Sequence, residues 1–441
     1  MTGGSSWFGS VLKTFWGRPS RLPNFPDLCI SSPGLRLNAG LPERFLSSHD
    51  ITLNDLIDTL IQLRGFRRQY LEYNDLVEQR ARGLPWGQLR QLEEIGYLDK
   101  LSLVRCALDT NNLLIEQIIG STINSLVRDN TTSGSIEYAD EISRVCHMFG
   151  FELVKDANGI LVRYDSSVNN VDYQTAGGNP YRVNEAISHL GRDYSPEFNS
   201  EVLPLLEYVE KILKMEVLPV KRDSSERNLI VVPGSGTGYV SLKLAELFPD
   251  ITVESIELSM LMFLCNEFIL SDSESMLRMC PFATNYSSQT DVLNQIREVE
   301  FQCQRRPTNL NVLCGDFTEY SPPKQDRIMV VTVYFMDTAE NIFTYMDSIE
   351  RLSEYCHELH WINIGPLKYG TKPKVQLTAK EFQELREIRG WKDTDNDLQG
   401  IDDTLSGYLT DKEALYQGFY KLVKFHSVFS KTTRFDVKNQ L

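Results

Sequence analysis

Three glycines follow an apolar run in the segment NLIVVPGSGTGYVSLKLAELF, and a stretch with helical spacing comes directly after them. They are Gly234, Gly236 and Gly238. A strand that leads through glycines into a helix lets an adenosyl or phosphate group approach backbone N–H groups closely. The loop lacks the Gly-Lys-Ser/Thr of a P-loop, and Tyr239 occupies the third glycine position of a dinucleotide fingerprint. The remaining pattern, G-x-G-x-G, is typical of methyltransferase loops that bind S-adenosylmethionine (SAM).

Two carboxylates follow the next two apolar runs of this type. Glu257 ends the run DITVESIE, about 20 positions after the last glycine, where Rossmann-like sheets place an acidic residue on ribose hydroxyls. Asp316 and Phe317 follow the run LNVLCG, so the carboxylate can accept from an adenine amino group while the ring lies beside the base. Each feature alone is weak, since an Asp at a strand end is usually a turn former. In this order they predict a SAM site that needs no metal.

The elements around these residues predict an α/β fold, with a Rossmann-like class I methyltransferase sheet. From about residue 180, short β-branched runs alternate with helical stretches, as in a parallel doubly wound sheet with its ligand at the carboxyl ends of the strands. Three consecutive helical stretches precede it, from about residue 50 to 128. We therefore divide the chain into a tail at 1–45, a helical region at 46–150 and a methyltransferase domain with substrate-pocket elements at 151–441.

Composition restricts the partners and the compartment. The 441 residues are 41% hydrophobic with a formal charge of −15, as in a soluble protein whose acceptor is small or basic rather than a nucleic acid. No apolar stretch is long enough for a transmembrane helix. Eight cysteines without a C-x-x-C pair suit a reducing compartment, so we expect a cytoplasmic protein that can also be nuclear. His357 and His360 lack a third ligand nearby and both precede the strand WINIG, so we expect no metal site there.

The N-terminal segments leave two questions open. The first 26 residues are basic, carry no acidic residue and place Trp and Phe at helical spacing. We interpret them as a disordered terminus that docks aromatic side chains, but an organelle transit peptide or a membrane-surface helix is the alternative. The helical region has several apolar faces, which can pack against the sheet, cover the site or form a homodimer contact.

The motifs RDYSPE, VVPGSGTG, CGDF, YFMDTAENIFTYMDSI and WINIGPLKY together resemble the carnosine N-methyltransferase family. The resemblance covers roughly residues 40 to 430 and is strongest from about 185 to 370. FMDTAEN together with WINIGPL is far more specific than the glycine loop. The resemblance implies SAM-dependent methylation of an imidazole nitrogen of carnosine (β-alanyl-histidine), which gives anserine.

By position, the resemblance assigns the cofactor contacts to His189, Arg192, Gly234, Glu257, Asp316 and Phe317, beside the loop glycines 236 and 238. The guanidinium of Arg192 matches the methionyl carboxylate of SAM. The alternative for this arginine is a surface ion pair with Asp193 or Glu197. His189 replaces a glutamine that is typical of the family, which weakens that one contact.

The resemblance also assigns an acceptor side, made by Tyr334, Asp337, Tyr408 and Tyr420, with Asp337 as the catalytic residue. Asp337 can hold one imidazole N–H, fix the tautomer and leave the other nitrogen free to take the methyl group. The alternative for Asp337 is an N-cap of the helix that follows. Each tyrosine taken alone is more often simply packed core.

One position departs from the family pattern. Gly370 stands directly after the Tyr of GPLKY, where the family has a histidine that helps to bind carnosine. Three hypotheses follow: methylation of carnosine or a related histidine-containing dipeptide, methylation of another histidine-containing peptide or protein, and SAM binding without catalysis. The presence of Asp337 and the three tyrosines argues against the last, because a binding-only protein needs no acceptor pocket.

Overall fold

The computed structural model describes residues 53–132, 139–156, 159–164, 180–217, 226–271, 276–370, 372–394 and 399–430. The tail at 1–45, with its targeting alternatives, lies outside these residues. Within them, no helix is both long and apolar enough to cross a membrane.

The first part of the chain is helical, as the apolar spacing predicts. Three helices follow one another: α1 (Leu53–Arg82), α2 (Trp86–Glu94) and α3 (Tyr97–Thr132). Next come α4 (Ala139–Met148), an antiparallel hairpin of β1 (Phe151–Asp156) and β2 (Gly159–Tyr164), and the helices α5 (Pro180–Tyr194) and α6 (Asn199–Ile212).

The remaining chain alternates strands and helices. In chain order these elements are β3 (Asn228–Pro233), α7 (Tyr239–Leu247), β4 (Thr252–Glu257), α8 (Met260–Ile269), β5 (Met276–Met279), α9 (Val292–Gln295), β6 (Val299–Gln302), β7 (Leu310–Cys314), β8 (Arg327–Val333), α10 (Ile342–Arg351), β9 (Glu358–Gly365), α11 (Ala379–Ile388), β10 (Trp391–Asp393), β11 (Gly400–Ile401), β12 (Ser406–Gly407), β13 (Phe419–Tyr420) and β14 (Val423–Phe429).

The main sheet has the strand order β10-β14-β9-β8-β3-β4-β7, with β11 paired to β14. The strands from β9 to β7 in this order pair in parallel, and β14 is antiparallel to both β9 and β10. The chain runs outward from β3 through β4 to β7 and then returns to β8 on the other side of β3. This reversal creates the crevice where doubly wound sheets bind ligands. The predicted Rossmann-like class I methyltransferase sheet is confirmed.

The helical region shares a buried core with the sheet and packs on it mainly through α8. Leu60 and Phe66 of α1 and Ile119 of α3 belong to the same buried cluster as Phe263 of α8 and Ile230 of β3. Because an amphipathic helix gains most of its stability from burying its apolar face, these helices and the sheet stabilise each other. Packing against the sheet, one of the three roles considered for this region, is therefore observed in the sense of a shared core that is made mainly through α8. The boundaries of the domain division and the homodimer contact stay predictions.

Two buried histidines form a pair between neighbouring strands. His360 lies inside β9, so the expectation that it precedes the strand is wrong. Its Nδ1 lies 3.0 Å from Nε2 of His426 on β14, and burial lowers the pKa of each ring to about 4. One nitrogen of this contact must donate and the other must accept. If both rings were protonated, both nitrogens would carry a hydrogen and the two positive charges would repel each other. In the described residues, no group of three or more His, Cys, Asp or Glu could hold a metal ion.

The histidine pair should make the fold sensitive to acid. In the unfolded chain both rings titrate near ~6.5, whereas in the folded protein they titrate near 4. The free energy of unfolding should therefore be constant above about pH 6.5 and fall as the pH drops from there toward 4. Urea unfolding at pH 7 and pH 5 measures this loss, which should shrink in a variant with His360→Gln and His426→Gln. The exposed His357→Gln is the control, and an equal loss in all three proteins would contradict the prediction.

Candidate active site

The glycine loop between β3 and α7 adopts a backbone that only glycine tolerates well. Gly234 has φ +61° and Gly238 has φ +84°, both in the left-handed region. A Cβ on Gly234 would collide with the ring of Phe335, and a Cβ on Gly238 would collide with the amide of Asn266. The loop thus packs its backbone tightly on its neighbours while it remains open toward the carboxyl ends of the strands.

Glu257 fixes this loop from the end of β4. Its Oε2 accepts a hydrogen bond of 2.8 Å from the backbone N–H of Gly236, and its Oε1 accepts one of 2.8 Å from Ser259. The residue is only 8% exposed, and this burial raises the pKa of its carboxyl while the backbone N–H donors lower it. A carboxylate has about four lone-pair sites, so acceptor capacity remains for a hydroxyl group of a ligand.

A cavity of about 690 Å³ opens at the carboxyl ends of the parallel strands. This size lies within the range of about 300–1,000 Å³ that is common for small-molecule sites. The structure brings six of the sequence-predicted residues together in its lining: Gly234, Gly236, Glu257, Asp316, Phe317 and Tyr334. The cavity therefore lies at the crevice where the strand order reverses, as the sequence predicts.

Asp316 and Phe317 form one wall of the cavity. The Asp316 side chain accepts a hydrogen bond of 2.8 Å from the N–H of Thr318 and caps a short 3₁₀ turn, so its turn-forming role is observed. The buried Phe317 ring meets Phe335 edge-on at 6.1 Å, and Phe335 stacks on Tyr345 at 4.4 Å. These rings make an apolar, aromatic surface next to the Asp316 carboxylate.

Several cavity residues are absent from the sequence prediction. They lie on helix faces or in turns, and the sequence prediction assigns them no role: Thr59 and Gln62 of α1, Arg182 and Glu185 of α5, Ser259, Met260 and Met262, and, within the motif YFMDTAENIFTYMDSI, Thr338 and Tyr345. The helical region therefore also covers the site, the second of its three expected roles. Only Ser259 carried a local signal, because a serine that follows a strand and precedes an apolar helix is a typical N-cap, and its side chain accepts from Met262 N–H.

Arg192 lies in a buried cluster of charges next to the loop. It is 6% exposed, its Nη1 donates to Asp193 at 2.9 Å, and its Nε lies 3.5 Å from Glu201. The alternative of a surface ion pair is correct in naming Asp193 as a partner, but the pair is buried rather than on the surface. Glu197, the other candidate partner, pairs with Arg297 at 2.8 Å instead. Nη2 of Arg192 is buried and has no hydrogen-bond acceptor among the described residues. A buried guanidinium with an unused donor fits an anionic ligand.

His189 and two tyrosines surround this guanidinium. The ring of Tyr408 lies 4.5 Å from the guanidinium carbon and that of Tyr334 lies 5.6 Å from it. The Tyr408 hydroxyl is 2.7 Å from Nε2 of His189, whose pKa burial lowers, so this ring is neutral at pH 7. His189, Arg192 and Gly238 lie beside the cavity rather than in its lining.

Three of the four predicted acceptor residues, Tyr408, Tyr334 and Tyr420, form a row of neighbouring rings, and Lys368 links Tyr420 to the fourth, Asp337. Tyr334 follows β8 with φ +52°, a rare conformation for a bulky residue, and its ring lies 6.4 Å from that of Tyr420. The Tyr420 hydroxyl accepts from Nζ of Lys368 at 3.2 Å, and the backbone N–H of Lys368 donates to Oδ2 of Asp337 at 2.9 Å. Tyr334 lines the cavity, whereas Asp337, Tyr408 and Tyr420 do not.

Asp337 does not cap a helix. It lies in a 3₁₀ turn, Met336–Thr338, and α10 begins only at Ile342 with Asn341 as its N-cap, so the N-cap alternative is wrong. The carboxyl is 8% exposed, and this burial raises its pKa while the Lys368 N–H lowers it. Asp337 therefore presents a buried carboxylate that accepts from the backbone N–H of Lys368, whose side chain in turn bonds Tyr420.

Gly370 is exposed and lies two positions after Lys368, whose backbone N–H bonds Asp337. A Cβ built on it would meet no atom within 4 Å. The backbone there thus leaves room for a larger side chain.

Comparisons with known proteins give a family and its relatives. A family model described as carnosine N-methyltransferase matches residues 173–431. An uncharacterized protein of Saccharomyces cerevisiae is 39% identical, over 96% of this chain and 93% of its own length. A carnosine N-methyltransferase of Schizosaccharomyces pombe is 26% identical, over 54% of this chain and 68% of its own length. The crystal structure of a SAM-dependent methyltransferase from Aquifex aeolicus is 10% identical with a TM-score of 0.32, and covers 57% of this chain and 99% of its own.

Replacement of Gly234 by alanine should damage the loop more than the same change at Gly236. Both glycines have φ near +60°, so both variants carry a similar backbone strain of about 1–2 kcal/mol. Only Gly234→Ala adds a collision with Phe335, while a Cβ on Gly236 meets nothing within 4 Å. We expect Gly234→Ala to lose about 1–3 kcal/mol more in urea unfolding without ligand. Equal losses in the two variants would contradict this packing argument.

Proposed function

Because this chain belongs to the carnosine N-methyltransferase family, which makes it a SAM-dependent N-methyltransferase, we propose that it methylates an imidazole nitrogen of carnosine to give anserine, or of a related histidine-containing dipeptide. The observation that carries this proposal is the row of Tyr408, Tyr334 and Tyr420, which meets the glycine-loop cavity at Tyr334 and is linked to the Asp337 carboxylate through Lys368. An aromatic wall together with a buried carboxylate suits a flat ring with an N–H donor.

The cofactor side of the proposal rests on groups that fit SAM. The glycine loop has no room for a Cβ at Gly234, Glu257 keeps acceptor sites for ribose hydroxyls, and Arg192 keeps a buried donor for the methionyl carboxylate. Asp316 and Phe317 would contact the adenine. His189, whose neutral ring bonds Tyr408, and the glycines 236 and 238 complete the proposed set. The chemistry needs no metal.

Bound SAM supplies a methyl group on a sulfonium sulfur, whose C–S bond breaks as the new N–C bond forms. The task of the protein is then to orient the acceptor and to keep its attacking nitrogen unprotonated. Asp337 accepts a hydrogen bond from one imidazole nitrogen, so that the other nitrogen presents its lone pair. After transfer the ring is cationic, and the same carboxylate stabilises that charge until a proton leaves for solvent.

Tyr334 has the most constrained place in this pocket. Its left-handed backbone is held by an N–H bond of 3.1 Å to Ile364 O, and a Cβ on Gly365 would approach its backbone N to 3.0 Å. Its hydroxyl bonds Ser406 at 3.1 Å. Backbone strain of this kind persists only where the surrounding contacts fix the residue. Here those contacts hold the Tyr334 ring between the cofactor cavity and the other acceptor tyrosines.

A second acceptor class deserves equal testing, because Gly370 removes the family histidine. Loss of one hydrogen-bonding group costs about 1–3 kcal/mol of binding, which weakens carnosine relative to other acceptors. Another histidine-containing peptide, or a histidine in a protein, is the alternative, and the formal charge of −15 favours a basic one over a nucleic acid. A cytoplasmic location, with the nucleus as a second site, and homodimer formation remain predictions that follow from the sequence.

Purified protein incubated with SAM and carnosine should yield methylated dipeptide, which mass spectrometry detects. Asp337→Asn should lower kcat/KM by about 100-fold, since it removes the acceptor of the imidazole N–H, while the Kd for SAM measured by calorimetry stays within threefold. The exposed Asp250→Asn serves as the matched control. SAM binding without any methylated carnosine in the unmodified protein would instead favour another histidine-containing acceptor.

Gly370→His tests the departure from the family directly. The space around this position admits a side chain, so the variant should fold normally. A gain of one hydrogen bond to carnosine should raise kcat/KM by about tenfold. Gly370→Ala fills the same position without a hydrogen-bonding group and is the control. If the histidine leaves carnosine turnover unchanged or lowers it, the pocket is adapted to an acceptor of different shape.

A further inference from the structure

Two of the proposed acceptor residues lie on one segment, residues 406–420, which we call the strap. Its ends pair as the short antiparallel strands β12 and β13. Tyr408 lies just after β12 and Tyr420 ends β13. The position of the strap therefore decides where both rings stand relative to the cofactor cavity.

The first turn of the strap is built around the carboxylate of Glu201, a residue of α6 that is 6% exposed. Its Oε2 accepts from the N–H of Leu409 and its Oε1 accepts from the N–H of Thr410, each at 2.8 Å. Leu409 has φ +52°, so the turn is strained and needs such support. A Cβ on Gly407 would come within 2.5 Å of Oε1, so only glycine fits against this carboxylate.

The same carboxylate also faces the cofactor side. Its Oε2 lies 3.5 Å from Nε of Arg192, whose guanidinium lies over the Tyr408 ring. Arg192 in turn pairs with Asp193, and Asp193 accepts a hydrogen bond from the Thr237 hydroxyl in the glycine loop. A buried chain of alternating charges thus runs from the glycine loop to the strap.

We propose that Glu201 is a positioning residue that fixes the strap to Arg192 and so holds Tyr408 at the acceptor pocket. The proposal rests on the proposed function only in taking Tyr408 as an acceptor contact. Glu201 acts through the two backbone N–H groups and the guanidinium, and it contacts neither acceptor nor cofactor. Its two hydrogen bonds to the strap and its ion pair with Arg192 all lead away from α6, so loss of its charge should free the strap rather than unfold the helix.

Hydrogen exchange tests the attachment without any assumption about the acceptor. Glu201→Gln keeps the shape, but its amide replaces one acceptor oxygen with a donor that faces a backbone N–H. We expect amide exchange in residues 406–420 to rise at least tenfold, with exchange in 53–132 unchanged. Glu207→Gln, an exposed position on the same helix, should leave both unchanged. If the strap of Glu201→Gln exchanges at the same rate as the strap of the wild-type protein, the proposal is wrong. It is also wrong if protection is lost across the whole protein.

Steady-state kinetics with an accepted substrate test the consequence. Glu201→Gln should raise the acceptor KM at least tenfold while the Kd for SAM stays within threefold. If the acceptor KM and the Kd for SAM rise by the same factor, or if neither changes, the positioning role is wrong. If Glu201→Gln does not fold, Glu201→Asp is the second variant, since it keeps the charge on a shorter side chain. Its strap should exchange faster than that of the wild type. Strap exchange at the wild-type rate in Glu201→Asp would count against the proposal. Absence of carnosine turnover in the unmodified protein bears on the proposed function alone, since the exchange result stands by itself.

Discussion

The buried guanidinium of Arg192 is the interaction on which the arrangement of the site depends. A charge this deeply buried is costly unless it is paired, and here Asp193 and Glu201 supply two carboxylates while Tyr408 presents its ring face. Each partner ties down a different element, because Asp193 also bonds the glycine loop and Glu201 also bonds the strap. One side chain thereby connects the cofactor loop, α5, α6 and the acceptor wall.

This arrangement explains how a site for two substrates can be built from distant parts of the chain. The parallel sheet supplies the cofactor half, because β3, β4 and β7 end at the same edge and present the loop, Glu257 and Asp316 there. The proposed acceptor half comes from residues 334–337 and from the strap, which begins 69 positions after residue 337. Tyr334 belongs to both halves, and its strained backbone keeps it at their junction.

The fold and the cofactor half were predictable because their signals are local. Alternation of β-branched runs with helical stretches is enough to predict a doubly wound sheet, and topology then brings the carboxyl ends of its strands together. Gly234, Glu257, Asp316 and Phe317 all lie at the carboxyl ends of strands or within three residues of them, so their meeting at one cavity needs no knowledge of long-range packing. The position of α1 over the cavity, through Thr59 and Gln62, carries no such signal, since these are ordinary polar residues on a helix.

The sequence by itself determined the strand-and-helix alternation, the conformation of the glycine loop and the order of the residues along the strand ends, because these follow from the residue and its immediate neighbours. Only the tertiary structure decided that Arg192 is buried between Asp193 and Glu201, that Asp337 bonds Lys368 instead of capping α10, and that His360 stacks on His426. Asp193 is the neighbour of Arg192 on α5 and was a candidate partner from the sequence, but Glu201, Lys368 and His426 come from other elements or lie well along the chain. Burial and pairing of a polar side chain depend on which elements pack around it, and that is a property of the whole fold.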